Sequence, residues 1–224
     1  MPKSPRFLNP TVTVDVVIFT VDKGVLKTLV IDRARGPFEG SPALPGGFLL
    51  EGETTQAAAE RILADKAGVK GVYLEQLYTF DGLKRDPRGP VFSVAYFALI
   101  SPDEIKIDET LDTQMPRFVP VSSLSKLAFD HDEIVSYAVE RLKAKAEYTN
   151  IVYSLLPRTF TLTELQKIYE IVLDRPLDKR KFRKKWMELG LTEDTGASSK
   201  GGRRRPAKLY RFRSRKPSQL KKFF

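Results

Sequence analysis

Cysteine is absent from this chain of 224 residues, and histidine occurs once, at His131. Without thiols there is no disulfide framework, and a single imidazole cannot supply the ligand set of a structural or catalytic zinc site. Long apolar runs are missing too: none approaches the roughly 18 residues of a membrane span, so a soluble protein with no membrane partner is expected. The opening stretch MPKSPRFLNP lacks the apolar core and small-residue cleavage site of a signal peptide, which points to the cytoplasm. No internal repeat is visible.

Charge, by contrast, is abundant and uneven. The formal net charge is +10, yet residues 1–149 hold 18 Lys plus Arg against 21 Asp plus Glu, while residues 150–224 hold 20 against 7. The basicity therefore belongs to the last third of the chain. Such asymmetry signals a nucleic-acid-binding segment joined to a domain with another task.

Composition along the chain supports that division. Residues 11–21 and 25–34 are rich in β-branched side chains and flank the turn sequence DKG, so they read as two strands of a hairpin. Residues 35–53 hold too much Gly and Pro for more than short extended pieces. A helix follows over 54–68, capped by Thr54 or Thr55 and closed by Gly68. Residues 72–80 and 91–100 return to strand composition. A second helix over 130–148 carries apolar positions at Ile134, Tyr137, Ala138 and Leu142. The expectation is an α+β domain over residues 1–148 and a second, smaller domain over 149–224.

In the second domain, residues 150–157 read as a short apolar helix stopped by Pro157. Thr161 and Glu164 make a capping box for the next helix. A third helix, DKRKFRKKWMELG, repeats Phe182, Trp186 and Leu189 at i, i+4 and i+7, so one stripe packs while the rest is cationic. Two short strands, LTED and KLYRFR, enclose a glycine-rich basic loop. Three helices and a basic hairpin resemble a winged helix-turn-helix. An α-helix has the diameter to enter a DNA major groove, and arginines on a wing reach phosphates or a narrow minor groove. The candidate DNA contacts are Thr161, Thr163, Lys179, Arg180, Lys181, Arg183, Lys184, Lys185, Arg203, Arg204, Arg205 and Lys208. RNA is the competing partner.

The first domain carries a more specific pattern. Gly47, five residues, Glu53, seven residues and Arg61, followed by ILADKAGV, resemble the Nudix box, G-x5-E-x7-R-E-U-x-E-E-x-G-U with U apolar. Gly47, Glu53, Arg61, Leu63, Gly68 and Val69 match, whereas Ile62, Asp65 and Lys66 stand at the three glutamate positions after the arginine. At about 100° per residue these three positions share roughly a third of the helix circumference, where carboxylates would gather Mg²⁺ against a pyrophosphate. Here one carboxylate remains, and Glu60 lies about 160° around the helix from position 62. No metal and no catalytic residue are expected.

The segment DRARGPFEGSPALPGGF, the loop KRDPRGPVFSVAYFALI and LAFDHDEI resemble the ADP-ribose pyrophosphatase branch of that family. Arg33, Arg35, Arg85 and Arg88 are candidates for a diphosphate, since guanidinium groups bind phosphate oxygens bidentately. Phe38 and Phe80 are candidates for stacking on adenine, Gly46 and Gly47 for close backbone approach, and Glu53 for ordering the motif. His131 is read as a capping or packing residue, or as part of the pocket rim.

A Nudix-type α/β/α sandwich without its metal ligands, followed by a winged helix, resembles the Nudix-related transcriptional regulators of NAD metabolism. The resemblance implies ADP-ribose or a related NAD metabolite as effector, double-stranded operator DNA as partner, and a homodimer that places two recognition helices on a near-palindromic site. The alternative reading is an active Mg-dependent ADP-ribose or NAD-type pyrophosphatase with an atypical metal site and a nucleic-acid-binding tail.

Overall fold

The protein is described by a computed structural model covering residues 9–105, 116–199 and 206–220. Its first part is organised around β1 (Thr11–Asp22), whose β-branched run is buried on both faces. Lys23 and Gly24 both adopt positive φ, the conformation a tight two-residue hairpin loop needs, and return the chain into β2 (Val25–Asp32). β1 also pairs in parallel with β6 (Val91–Leu99), in the register Thr11↔Val91 to Phe19↔Leu99, and β6 pairs antiparallel with β5 (Tyr73–Phe80).

The Gly/Pro-rich stretch contributes two short strands, β3 (Pro42–Ala43) against β2 and β4 (Gly46–Phe48) against β1. A further strand, β7 (Arg117–Pro120), pairs with β2 where the sequence offered no strand signal.

Alternation along β1 builds two layers. Val14, Val16 and Ile18 face α1 (Thr55–Ala67), packing with Ile62 and Leu63; Val17, Phe19 and Val21 face α2 (His131–Tyr148), packing with Ile134 and Leu142. This is the α/β/α sandwich. Thr54 caps α1 by accepting from the Ala57 amide, and Gly68 closes it at φ 63°. Tyr137, expected on the apolar face of α2, stays 39% exposed and stacks on Tyr78 of β5.

The second part begins with a 3₁₀ segment, Ile151–Leu155, in place of the short helix expected over 150–157. Then come α3 (Leu162–Leu173) with its Thr161/Glu164 capping box, α4 (Lys179–Glu188) capped by Asp178, and the hairpin β8 (Thr192–Ser198) and β9 (Lys208–Phe212). Trp186 is fully buried against Tyr169, Phe182 and Phe212, and its indole N–H donates to Thr192 Oγ1 at 3.1 Å.

No gap separates the two parts. One hydrophobic cluster runs from Phe97 and Leu99 through Leu142, Ile151 and Leu155 to Phe160, Leu165 and Trp186. The chain's end ties the same seam: the Leu220 amide donates to Tyr148 O at 2.7 Å, and the Asn150 side chain donates to Lys216 O at 3.1 Å while accepting from the Ser218 amide at 2.7 Å. Among the described residues no helix is long and apolar enough to cross a membrane.

Candidate ligand pocket and nucleic-acid interface

A cavity of about 460 Å³ opens where β1, β4, the loop after β5 and the start of α2 meet. Its floor is Asp15. The Ser93 hydroxyl donates to Asp15 Oδ2 at 2.5 Å, Arg85 Nη2 lies 3.6 Å from the same oxygen, and His131 Nε2 lies 3.7 Å from Oδ1. Gly46 stands opposite in the register of β1 and β4, and a Cβ there would sit 2.0 Å from Asp15 Oδ1. The glycine is what admits the carboxylate.

His131 accepts from the Leu44 amide at Nδ1, 2.9 Å, which leaves the proton of the neutral ring on Nε2, toward Asp15. Burial pushes the imidazole below its ordinary value and outweighs the upward pull of Asp15 and Asp130.

The arginines of the cavity wall differ in how they are held. Arg85 is almost fully buried and donates twice to Asp130, at 2.8 and 2.7 Å; burial works against its charge, but the Asp130 hydrogen bonds and the Asp15 charge prevail and raise its pKa. It is a structural tie between the pocket floor and the N-terminus of α2, with little left to offer a phosphate. Arg88 donates to Asp86 at 2.6 Å, yet remains 43% exposed at the mouth. Arg33 donates to Pro37 O at 2.7 Å and lies 4.6 Å above the Phe129 ring. Burial and the nearby charge of Arg88 together lower the Arg33 pKa, so an anion between them would relieve both. Arg35, Gly46 and Gly47 also line the cavity.

Three sequence expectations change here, at Phe80, Glu53 and Phe38. Phe80 does not line the cavity: it is buried in the core against α2, edge-on to Tyr78 and Tyr137. A register shift between Gln76 and Tyr78 breaks the alternation of β5, so Leu77 and Phe80 both turn to the core. Glu53 also lies outside the lining: its carboxylate accepts from Arg61 Nε and Nη2, both at 2.8 Å, and from the Leu50 amide at 3.1 Å. The aromatics that do line the pocket are Phe48 and Phe129, neither of them a candidate from the sequence. Phe129 contacts Phe38, which was expected to stack on adenine but lies outside the lining, at 4.9 Å, and the two adopt left-handed backbone, φ 57° and 61°. Two aromatic residues in that conformation, one lining the cavity and the other packed against it, mark a place where the fold tolerates strain.

The basic face is built differently. Lys179, Arg180, Lys181, Lys184 and Lys185 of α4 are exposed, while Phe182 and Trp186 are buried beneath them. Arg183 departs from that pattern: half-buried, it donates through Nη2 to Thr163 Oγ1 at 3.2 Å, and its Nε is buried with no hydrogen-bond partner among the described residues. Arg183 and Thr163 thus staple α4 to α3. The Thr161 hydroxyl is engaged in the cap of α3, and Lys208 pairs with Asp194 at 2.8 Å across the hairpin. Arg203, Arg204 and Arg205 lie outside the described residues.

Comparison with known proteins places both halves. Residues 9–138 match the NUDIX domain family, and residues 152–212 match the NrtR DNA-binding winged helix domain. The chain is 42% identical over 208 residues, 91% of its own length and 82% of the relative's, to the ADPR responsive transcriptional repressor NtrR of Acinetobacter baylyi. Shewanella oneidensis NrtR in complex with a 27mer DNA superimposes with a TM-score of 0.83 at 36% identity, over 90% of this chain and 93% of that one. The NUDIX domain of the same Shewanella protein in complex with ADP ribose aligns with a TM-score of 0.55 at 36% identity, over 61% of this chain and 90% of that one. Two domain matches that follow one another along the chain, and a relative aligned over most of its length, show that this protein belongs to the Nudix family, in the branch that carries an NrtR-type winged helix.

Proposed function

We propose that this protein is a homodimeric, cytoplasmic repressor of NAD-metabolism genes that binds operator DNA through α4 and the wing and releases it when ADP-ribose fills the Nudix pocket without being cleaved. The observation that carries the reading is the pairing of two anion-binding surfaces in one continuous core. One is a cavity with Arg33, Arg35 and Arg88 in its wall; the other is an exposed cationic helix. ADP-ribose offers a diphosphate for the arginines and an adenine for Phe129 and Phe38. Duplex DNA offers phosphates to Lys179, Arg180, Lys181, Lys184 and Lys185. The RNA alternative loses ground because α4 has the form of a major-groove reader and the similar Shewanella oneidensis NrtR is seen in complex with DNA.

Communication between the surfaces runs through α2. Its N-terminal neighbours Phe129, Asp130 and His131 touch Arg33, Arg85 and Leu44 of the pocket, and its other end leads directly into the 3₁₀ segment packed under the winged helix. A ligand that reorders Phe129 or draws Arg33 away from it changes the seat of α2. Such a ligand acts only because it binds the two helix positions with different affinity.

The hydrolase reading has weaker support, since Glu53 is committed to Arg61 and a lysine stands where a glutamate would hold metal. The test is fluorescence anisotropy of the full chain on duplexes carrying candidate palindromes, titrated with ADP-ribose in Mg²⁺, with AMP release followed by chromatography in the same samples. Release of duplex without AMP is expected. AMP production at enzyme-like turnover, or duplex affinity unmoved by saturating ADP-ribose, refutes the proposal.

A further inference from the structure

The Nudix fold implies a divalent cation between α1 and a bound diphosphate, and the donor set on α1 does not fit one. Ile62 is buried in the core beneath Gly47, where an added Cβ would meet its Cδ1 at 3.7 Å. Asp65 is exposed and does not line the cavity, and Glu53 already accepts three hydrogen bonds. Among the described residues no group of three or more His, Cys, Asp or Glu side chains is arranged to hold a metal ion.

One helical turn after Ile62, on the same face of α1, comes Lys66. It is half-buried and lines the cavity together with Gly46, Gly47, Arg33 and Arg88. The position that in a hydrolase offers a carboxylate to a cation here brings a cation itself. An ammonium group binds phosphate oxygens as a point charge with three donors, needs no ligand shell, and polarises no water for attack.

We infer that Lys66 stands in for the divalent cation, binding the diphosphate of ADP-ribose directly and making ligand recognition independent of metal. The inference rests on the ligand assignment made above. It gives the degenerate box a positive role: the substitution that removes hydrolysis also supplies a fixed counter-charge, so the sensor reads its metabolite whatever the free Mg²⁺ concentration.

Isothermal titration of ADP-ribose into the full chain, once in chelator and once in millimolar Mg²⁺, tests this with wild type, Lys66→Gln, Lys66→Arg and Lys66→Glu. Wild type is expected to bind equally in both buffers. Lys66→Gln should lose about tenfold or more in affinity, the scale of one charge-assisted contact to phosphate. Lys66→Arg, which keeps the charge, should retain most of the affinity, and Lys66→Glu should lose the most in chelator and regain part of the loss in Mg²⁺. If wild type binds but Lys66→Gln binds as well, or if wild type tightens tenfold with Mg²⁺, Lys66 is not the counter-charge and the inference alone fails. If wild type does not bind ADP-ribose in either buffer, the ligand assignment fails and takes the inference with it.

Discussion

The pocket and the recognition helix are both rich in cations, but they hold them in opposite ways. In the pocket, Arg85 is fixed by Asp130 and Asp15, Arg88 by Asp86, and Arg33 by Pro37 O and the Phe129 ring. On α4, Lys179, Arg180, Lys181 and Lys184 project into solvent without ion-pair partners among the described residues, while Arg183 is stapled to Thr163. The first arrangement suits one small anion of fixed shape, since the donors are oriented before the ligand arrives. The second suits a polyanion whose phosphates are many and whose counterions are released on contact.

That contrast can be broken at its rigid end first. Replacing Arg85 by Met leaves Asp15 and Asp130 facing each other without their shared cation, so the variant should lose about 3–5 kcal/mol of stability, measured by urea denaturation. A loss below about 1 kcal/mol would mean that water already screens the pair. Salt sharpens the comparison next. If α4 and its surroundings neutralise about five phosphates, duplex affinity should fall by about 10²–10³ between 50 and 200 mM salt, followed by anisotropy, while ADP-ribose affinity falls far less. Parallel slopes would dissolve the distinction between the two surfaces.

Lys184→Glu comes third. It should weaken duplex binding by about tenfold and leave ADP-ribose binding unchanged, whereas Arg183→Ala should show itself in thermal stability, because its half-buried side chain links α4 to α3. The smallest effect belongs to His131. Its folded-state pKa lies below the ordinary 6.5, so the stability it contributes is complete above pH 6.5 and is lost as the pH falls toward the lower folded value. One proton sets the slope at no more than about 1.4 kcal/mol per pH unit. Denaturation midpoints between pH 7.5 and 5.5 should show this loss in wild type and a flatter profile in His131→Asn.

Much of the fold was legible because local rules decide it. The alternation of β1, the alanine-rich α1 between Thr54 and Gly68, and the capping box of α3 each follow from a few neighbouring residues. β7 was not, because four residues ending in proline become a strand only through the edge that β2 offers them. In the pocket, residue types were readable but their allegiances were not. That Arg85 belongs to Asp130, 45 positions away, and Arg88 to Asp86, two away, depends on where the loop after β5 meets α2. Phe80 turned to the core because one irregularity in β5 reversed a face, whereas Phe129, not a candidate from the sequence, lines the cavity through the loop before α2. The basic helix suffered less from this blindness: six cations around two buried aromatics announce an exposed surface from sequence alone, and only Arg183 escaped it.

α2 spans 18 residues, and at 1.5 Å per residue it is about 27 Å long. Fixed at Asp130 and His131 and carrying the winged helix at its other end, it is a lever arm. A tilt of about 5° at the pocket displaces the far end by about 2 Å. In the proposed homodimer a two-fold axis would repeat the displacement on the second arm, so the change in spacing between recognition helices would be up to twice as large. On the proposed reading, a small tilt of α2 set by one aromatic ring in the pocket would suffice to take two recognition helices out of register with DNA half-sites, with neither domain changing its own fold.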